Sequence, residues 1–186
     1  MTPLPLGILA LSGVVAGGGF DLLETTTLTS SASSVTFSGL DAYSDYKHLQ
    51  IRMTGRVDNT TAYNLYHMRL NGDSGSSYSR HALIGTGSVV DPSGASTQTL
   101  MGVGVAPGSS VTSNVFNAAV IDILDFSSSK NTTVRSLSGS AGGGLDNISL
   151  LSGAWYNTAA VTSIEIFRAS YNFVTGSRFS LYGSKG

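Results

Sequence analysis

Residues 114–126 read NVFNAAVIDILDF, the most apolar run of the chain beyond its first twenty residues. By length alone this run fits a helix or a strand. Val120, Ile121 and Ile123 are β-branched, and no capping pattern accompanies them, which tilts the reading to a strand buried on both faces. That choice decides the fold. With this run extended, no amphipathic helix remains in the chain, and the other apolar segments are short. Asp122, in the middle of the run, then needs a partner, because a lone buried carboxylate is costly.

Working outward, Lys47–Arg56 (KHLQIRMTGR) is the clearest half-buried strand. Leu49, Ile51 and Met53 fall on one face, and Gln50, Arg52 and Thr54 on the other. Asn64–Leu70 puts Tyr66, Met68 and Leu70 on one face with Leu65, His67 and Arg69 opposite. Asn71-Gly72 is a strong turn dipeptide, and Tyr78–Gly85 reads as the return strand of a hairpin. Asp91-Pro92-Ser93-Gly94 reads as a second turn and Pro107-Gly108 as a third. Between them Thr97–Val105 is a strand in which Gly102 and Gly104 call for close packing or a bulge. Nearer the N-terminus lie Asp21–Leu28, Val35–Phe37 and an Asp41–Asp45 loop. Beyond residue 126 come a Lys130-Asn131 turn, then strands at Thr132–Ser138, Ile148–Tyr156, Val161–Arg168 and Phe179–Tyr182. Gly139–Asp146 is a Gly/Ser loop. About ten or eleven short strands without βαβ alternation predict an all-β chain. The architecture expected is an antiparallel β-sandwich of jelly-roll type over residues 20–186, with an extended N-terminal arm over residues 1–19.

The arm, MTPLPLGILALSGVVAGGG, carries no acidic or basic side chain. Its 6–16 stretch has the apolarity of a signal peptide but lacks the positive n-region such a signal needs, the first cation being Lys47. It is too short to span a bilayer, which takes about 20 apolar residues. Pro3 and Pro5 favour extended geometry, and Gly17-Gly18-Gly19 makes a flexible joint. Leu4, Leu6, Ile8, Leu9 and Leu11 must then bury themselves against protein. The expectation is that they anchor the chain on a neighbour.

Composition narrows the function. Charged residues are 11% of the 186 and the net charge is −1, so no basic excess exists to bind phosphate, and no nucleic-acid partner is expected. The 41% hydrophobic content with so little charge points to surfaces buried in neighbours. There is no Cys, which removes disulfide frameworks and thiolate sites.

Candidate chemistry is sparse. His48, His67 and His81 with Asp122 or Asp125 and a serine could in principle form a triad, but no Gly-x-Ser-x-Gly elbow is present. Each histidine sits within an expected strand, where a sheet-face role is the plainer reading. Asn71–Gly75 (NGDSG) resembles an oxygen-ligand calcium loop only faintly, lacking its acidic positions and distal Glu. Neither a catalytic residue, a metal ligand nor a cofactor is assigned. Tyr43, Tyr63, Tyr78 and Tyr171, near expected loops, are candidates for surface or glycan contact, since exposed aromatics stack on sugar rings. Ordinary sheet packing is the alternative.

Taken in order, PLGILALSG, LLETTTLTSSASSVTFSGL, YKHLQIRMTGR, MRLNGD, AAVIDILDF, KNTTVRSLSG and the terminal GSRFSLYGSKG resemble a family of small phage virion structural proteins. The resemblance covers most of the chain. It implies a non-enzymatic virion protein with a β-sandwich head, assembled as a homotrimer. A tail-fibre or appendage subunit is favoured, held to other virion proteins by the arm, with exposed Tyr and the loops around Asn71, Asp91 and Gly142 turned to host surface glycans. Capsid decoration is the alternative placement. A glycan-degrading enzyme, which would need two acids about 5–10 Å apart, and a secreted sugar-binding module are the competing classes.

Overall fold

Alternating apolar and polar side chains dominate the chain, and alternation of period two builds half-buried strands. A computed structural model describes residues 19–141 and 146–185. The strands are β1 (Asp21–Thr27), β2 (Ser34–Ser38), β3 (His48–Gly55), β4 (Tyr63–Leu70), β5 (Tyr78–Gly85), β6 (Val90–Gln98), β7 (Met101–Pro107), β8 (Asn117–Leu124), β9 (Thr132–Ser140), β10 (Asn147–Trp155), β11 (Ser163–Phe167) and β12 (Arg178–Ser184). They form two antiparallel sheets: an eight-stranded one ordered β1-β12-β3-β8-β9-β10-β5-β6, and a four-stranded one ordered β2-β11-β4-β7. The expected sandwich is therefore what the chain adopts.

The topology is that of a jelly roll with additions. β1, β2, β3, β4, β7, β8, β11 and β12 change sheet at every step except from β4 to β7, giving β1-β12-β3-β8 facing β2-β11-β4-β7. The β5–β6 and β9–β10 hairpins are inserted between these strands, and both extend the large sheet past β8. The added strands wrap the β7 edge of the small sheet. Leu65, on the face of β4 away from the main core, thus packs on Ala82, Ile84 and Leu151. All of Met101–Pro107 is buried in consequence.

This corrects the expectation for residues 114–126. In β8 only Asn117, Ala119, Ile121 and Ile123 are buried, while the alternate residues are exposed or half-buried. The strand buried throughout is β7, because added strands cover its second face. Asp122 has the partners its position demands: Gln50 Nε2 donates to it at 2.8 Å and Arg135 Nη2 at 3.2 Å.

Between the sheets, Phe37, Ile51, Met68, Ile121, Trp155, Ile164, Phe173 and Phe179 form one core. Phe173 meets Phe179 edge-on at 5.1 Å between centroids. A buried amide crosses this core. Asn117 accepts the Gly55 N–H at 2.8 Å and donates to the Val105 carbonyl at 2.9 Å and the Tyr66 hydroxyl at 3.3 Å. It thereby ties β3 and β8 of the large sheet to β4 and β7 of the small one. The Tyr66 ring lies against Gly104, where a Cβ would collide with it. The ladder skips Val103 there, a bulge at the glycines that the sequence marked. Arg56 performs a second tie: its guanidinium donates to the carbonyls of Val111, Thr112 and Val115 at 2.8–2.9 Å, fixing the crossover from β7 to β8.

Three local expectations change. Asn71 and Gly72 do take positive φ (52° and 66°), but the turn carries the chain from the small sheet to the large one and closes no hairpin. Asn71 Oδ1 instead accepts the N–H groups of Thr162 and Ser163 at 2.7 and 3.1 Å, pinning the segment before β11. Asp91–Gly94 is no turn: it lies in β6, and Pro92 fits because β6 is an edge strand with no further neighbour. Thr97–Val105 is not one strand, since β6 ends at Gln98 and β7 starts at Met101 in the other sheet. Tyr43 closes a short 3₁₀ turn, Leu40–Tyr43. The arm residues Leu4, Leu6, Ile8, Leu9 and Leu11, and the loop position Gly142, lie outside the described residues.

Replacing Asn117 by Leu keeps the volume near constant but strips partners from the Gly55 N–H, the Val105 carbonyl and the Tyr66 hydroxyl. We expect a loss of about 3 kcal/mol in urea unfolding with an unchanged m-value. An unchanged midpoint would mean that the two sheets do not depend on this tie.

Candidate interaction face

The outer face of the large sheet is where the strand alternation breaks its own rule. Cross-strand register places Arg52, Val120, Leu137, Leu150, Leu83 and Pro92 in one line over six strands, from β3 to β6. The line is apolar from Val120 onward and open to water: Val120 is 37% exposed, Leu137 50%, Leu150 49% and Leu83 48%. A second line beside it reads Thr54, Ala118, Gly139, Ile148, Gly85 and Val90. Its Ile148 and Val90 are exposed as well. On the other flank the line Gln50, Asp122, Arg135, Ser152 and His81 is polar.

Ala118, Val120, Leu137, Ile148, Arg52 and Tyr182 line a groove of about 600 Å³, and a smaller hollow of about 250 Å³ lies by Leu83 and Leu150. Arg52 stands at the groove's rim. Its guanidinium stacks on Tyr182 at 4.4 Å and on Phe20 at 5.3 Å, and its Nε donates to Gln50 Oε1 at 2.9 Å. Soluble chains scatter apolar side chains singly; a contiguous band rimmed by polar groups marks a contact surface. Covering each of these half-exposed side chains is worth on the order of 1 kcal/mol.

The tyrosines divide. Tyr78 is fully buried, which overturns its place among the surface candidates. Its hydroxyl accepts the Leu70 N–H at 3.1 Å and donates to the Asp73 carbonyl at 3.0 Å, and burial pushes its pKa up to about 12. Tyr78 follows a sheet-changing loop, so its side chain turns inward to hold that loop. Tyr43 is half-buried against the core and Tyr171 is half-buried under the Arg168 guanidinium, 5.3 Å from its ring. Tyr63, at the start of β4, is 40% exposed.

The histidines lie on three strands, β3, β4 and β5. His48 Nδ1 accepts the Asp125 N–H at 3.0 Å. That leaves it no proton to give a carboxylate, the reverse of the triad arrangement. Among the described residues no three His, Asp or Glu side chains are placed to share a metal ion. Asp73, in the loop with faint calcium character, is used structurally. Its carboxylate accepts the Trp155 indole N–H at 2.7 Å and the Gly75 N–H at 2.8 Å, and the indole bond chiefly holds its pKa low.

The apolar lines were missed by sequence reasoning, yet a signal existed. NISLLSGAW carries Ile148 and Leu150 on one phase and Leu151 and Trp155 on the other. A strand apolar on both phases has two faces to cover. No known protein-family model, curated protein or solved structure matches the chain.

His67 supplies a pH test of the small sheet. Burial, and then the nearby Arg168, Arg80 and Arg69 cations, lower its pKa from 6.5 to about 4. Between these values the unfolded chain binds a proton that the folded chain does not. Stability therefore falls as pH drops from 6.5 towards 4, by an amount on the order of 3 kcal/mol. His67→Gln should flatten that slope in pH-dependent urea unfolding; an identical slope in the variant would remove His67 as its source.

Proposed function

We propose that this chain is a non-enzymatic structural subunit of a bacteriophage particle, assembling as a homotrimer. In this reading it is a tail-fibre or appendage subunit attached to other virion proteins through residues 1–19. The observation that carries the reading is the exposed apolar line Val120–Leu137–Leu150–Leu83. It gives a chain with only 11% charged residues a face that has to be covered by protein, as an assembly subunit requires. The jelly-roll frame suits such a part, because its wide sheets offer side faces while the loops stay free at the ends. Tyr63 is the one of the four tyrosine candidates exposed enough for a host glycan to stack on. Decoration of the phage head is the second reading, favoured by the breadth of the apolar face, which spans neighbouring strands of one sheet.

Leu137→Asp with Leu150→Asp tests the assembly face. Both positions are about half exposed, so the variant should fold with an unchanged circular dichroism spectrum and sediment without forming trimers. Particles assembled with it should lack the subunit by quantitative immunoblot, and normal incorporation would sink the reading. Removing residues 1–19 should also abolish incorporation while leaving the sandwich folded.

A further inference from the structure

The chain enters the described structure at the edge of the groove. Phe20 lies over the Arg52 guanidinium, and Arg52 lines the groove together with Val120 and Leu137. Phe20, the residue before β1, thus puts the junction with residues 1–18 within reach of the apolar line. From β3 to β5 that line crosses four strand spacings, about 19 Å at ~4.8 Å each. A chain of eighteen residues reaches up to about 60 Å, so the segment has length to cover the whole line and to turn.

The chemistry of the two surfaces agrees. Residues 1–18 hold Leu4, Leu6, Ile8, Leu9, Leu11, Val14 and Val15 and no acidic or basic side chain. The groove is lined by Ala118, Val120, Leu137 and Ile148 together with the cations Arg52 and Arg178, while Asp122 and Arg135 lie on the neighbouring polar line. Shape selects between occupants. The hollow of about 600 Å³ is of a size to take a single chain segment, whereas the broad sheet face of a second copy would bridge over it. Tethering selects the source. A segment fixed at the rim is present at an effective concentration of about millimolar, well above that of other copies in dilute solution.

We propose that residues 1–18 of the same chain seat in this groove and cap the Val120–Leu137–Leu150–Leu83 line in the free subunit. The proposal rests on reading that line as an assembly face, one that must stay covered until it is used. It names what covers the face before a partner does. It also accounts for Gln50, which is 7% exposed although it shares the outer face: Arg52, stacked under Phe20, already closes over it.

The chain has no cysteine, so introduced pairs report cleanly. In the full chain, Leu137→Cys is combined in turn with Leu6→Cys, Leu9→Cys and Leu11→Cys, and oxidised at micromolar concentration. At least one pair should close a disulfide within a single chain, seen by peptide mapping and by a monomer band on non-reducing gels. The same arm cysteines paired with Thr36→Cys, exposed on the outer face of the small sheet, should not close. Disulfide-linked dimers would assign the groove to a second copy and overturn the proposal. Closure with Thr36→Cys as readily as with Leu137→Cys, or no closure with any pair, would overturn it too. As a second measurement, Leu137→Asp with Leu150→Asp should raise elastase cleavage within residues 1–18 about tenfold, since cleavage follows the open population; an unchanged rate would count against seating. These outcomes concern the free chain, whereas loss or retention in particles tests the virion reading separately.

Discussion

The two layers of this sandwich are held in one relation by a buried amide. Asn117 engages Gly55, Val105 and Tyr66 at once, and a hydrogen-bonding group in an apolar core is costly unless its partners are all in place. Hydrophobic packing alone would let the sheets slide, since apolar contacts have no direction. The amide does not tolerate sliding. It also requires the close approach of Tyr66 to Gly104, and so the bulge in the β4–β7 ladder. Arg56, bound to three carbonyls, then sets how the chain crosses from β7 to β8. These two polar anchors align the jelly-roll frame, in an interior that also buries polar side chains such as Asn64, Ser138 and Ser149.

The inserted hairpins explain where the exposed surface comes from. β5–β6 and β9–β10 widen the large sheet to twice the strand count of the small one. Their inner faces find cover by wrapping β7, which buries Leu151, Ala82 and Ile84. Among the described residues nothing covers their outer faces, which carry Leu83, Leu137, Ile148 and Leu150. A sheet that is apolar on both faces needs a cover on each. The polar line through Gln50, Asp122 and Arg135 bounds the exposed apolar area on one side, leaving the apolar strip and the groove beside it.

Much of the fold was legible because period-two alternation is a local property. Leu49, Ile51 and Met53 on one face of Lys47–Arg56, or Tyr66, Met68 and Leu70 on one face of Asn64–Leu70, could be read from spacing and are buried as read. The turn chemistry of Asn71-Gly72 was likewise legible, as were the glycines of the β7 bulge. Where the turn leads was not. A type of turn is set by φ preferences of two residues, whereas the identity of the next strand's neighbour is set by the whole sheet. Pro92 was misleading for the same reason: proline breaks a central strand but is harmless at an edge, and edge position is a property of the assembled sheet.

The amino-acid sequence by itself determined the strand class, the inward phase of most strands, the absence of thiol chemistry and the low charge, since these follow from residue type and spacing of neighbours in the chain. Only the tertiary structure decided that Tyr78 is a core strut and that β7 and not β8 is covered on both faces. It alone brought Val120, Leu137, Leu150 and Leu83 into one line. Those four come from four separate strands, and only inter-strand register, fixed by backbone hydrogen bonds across the sheet, makes them neighbours. A contact surface of this kind is written in the pairing of strands, which no single stretch of sequence contains.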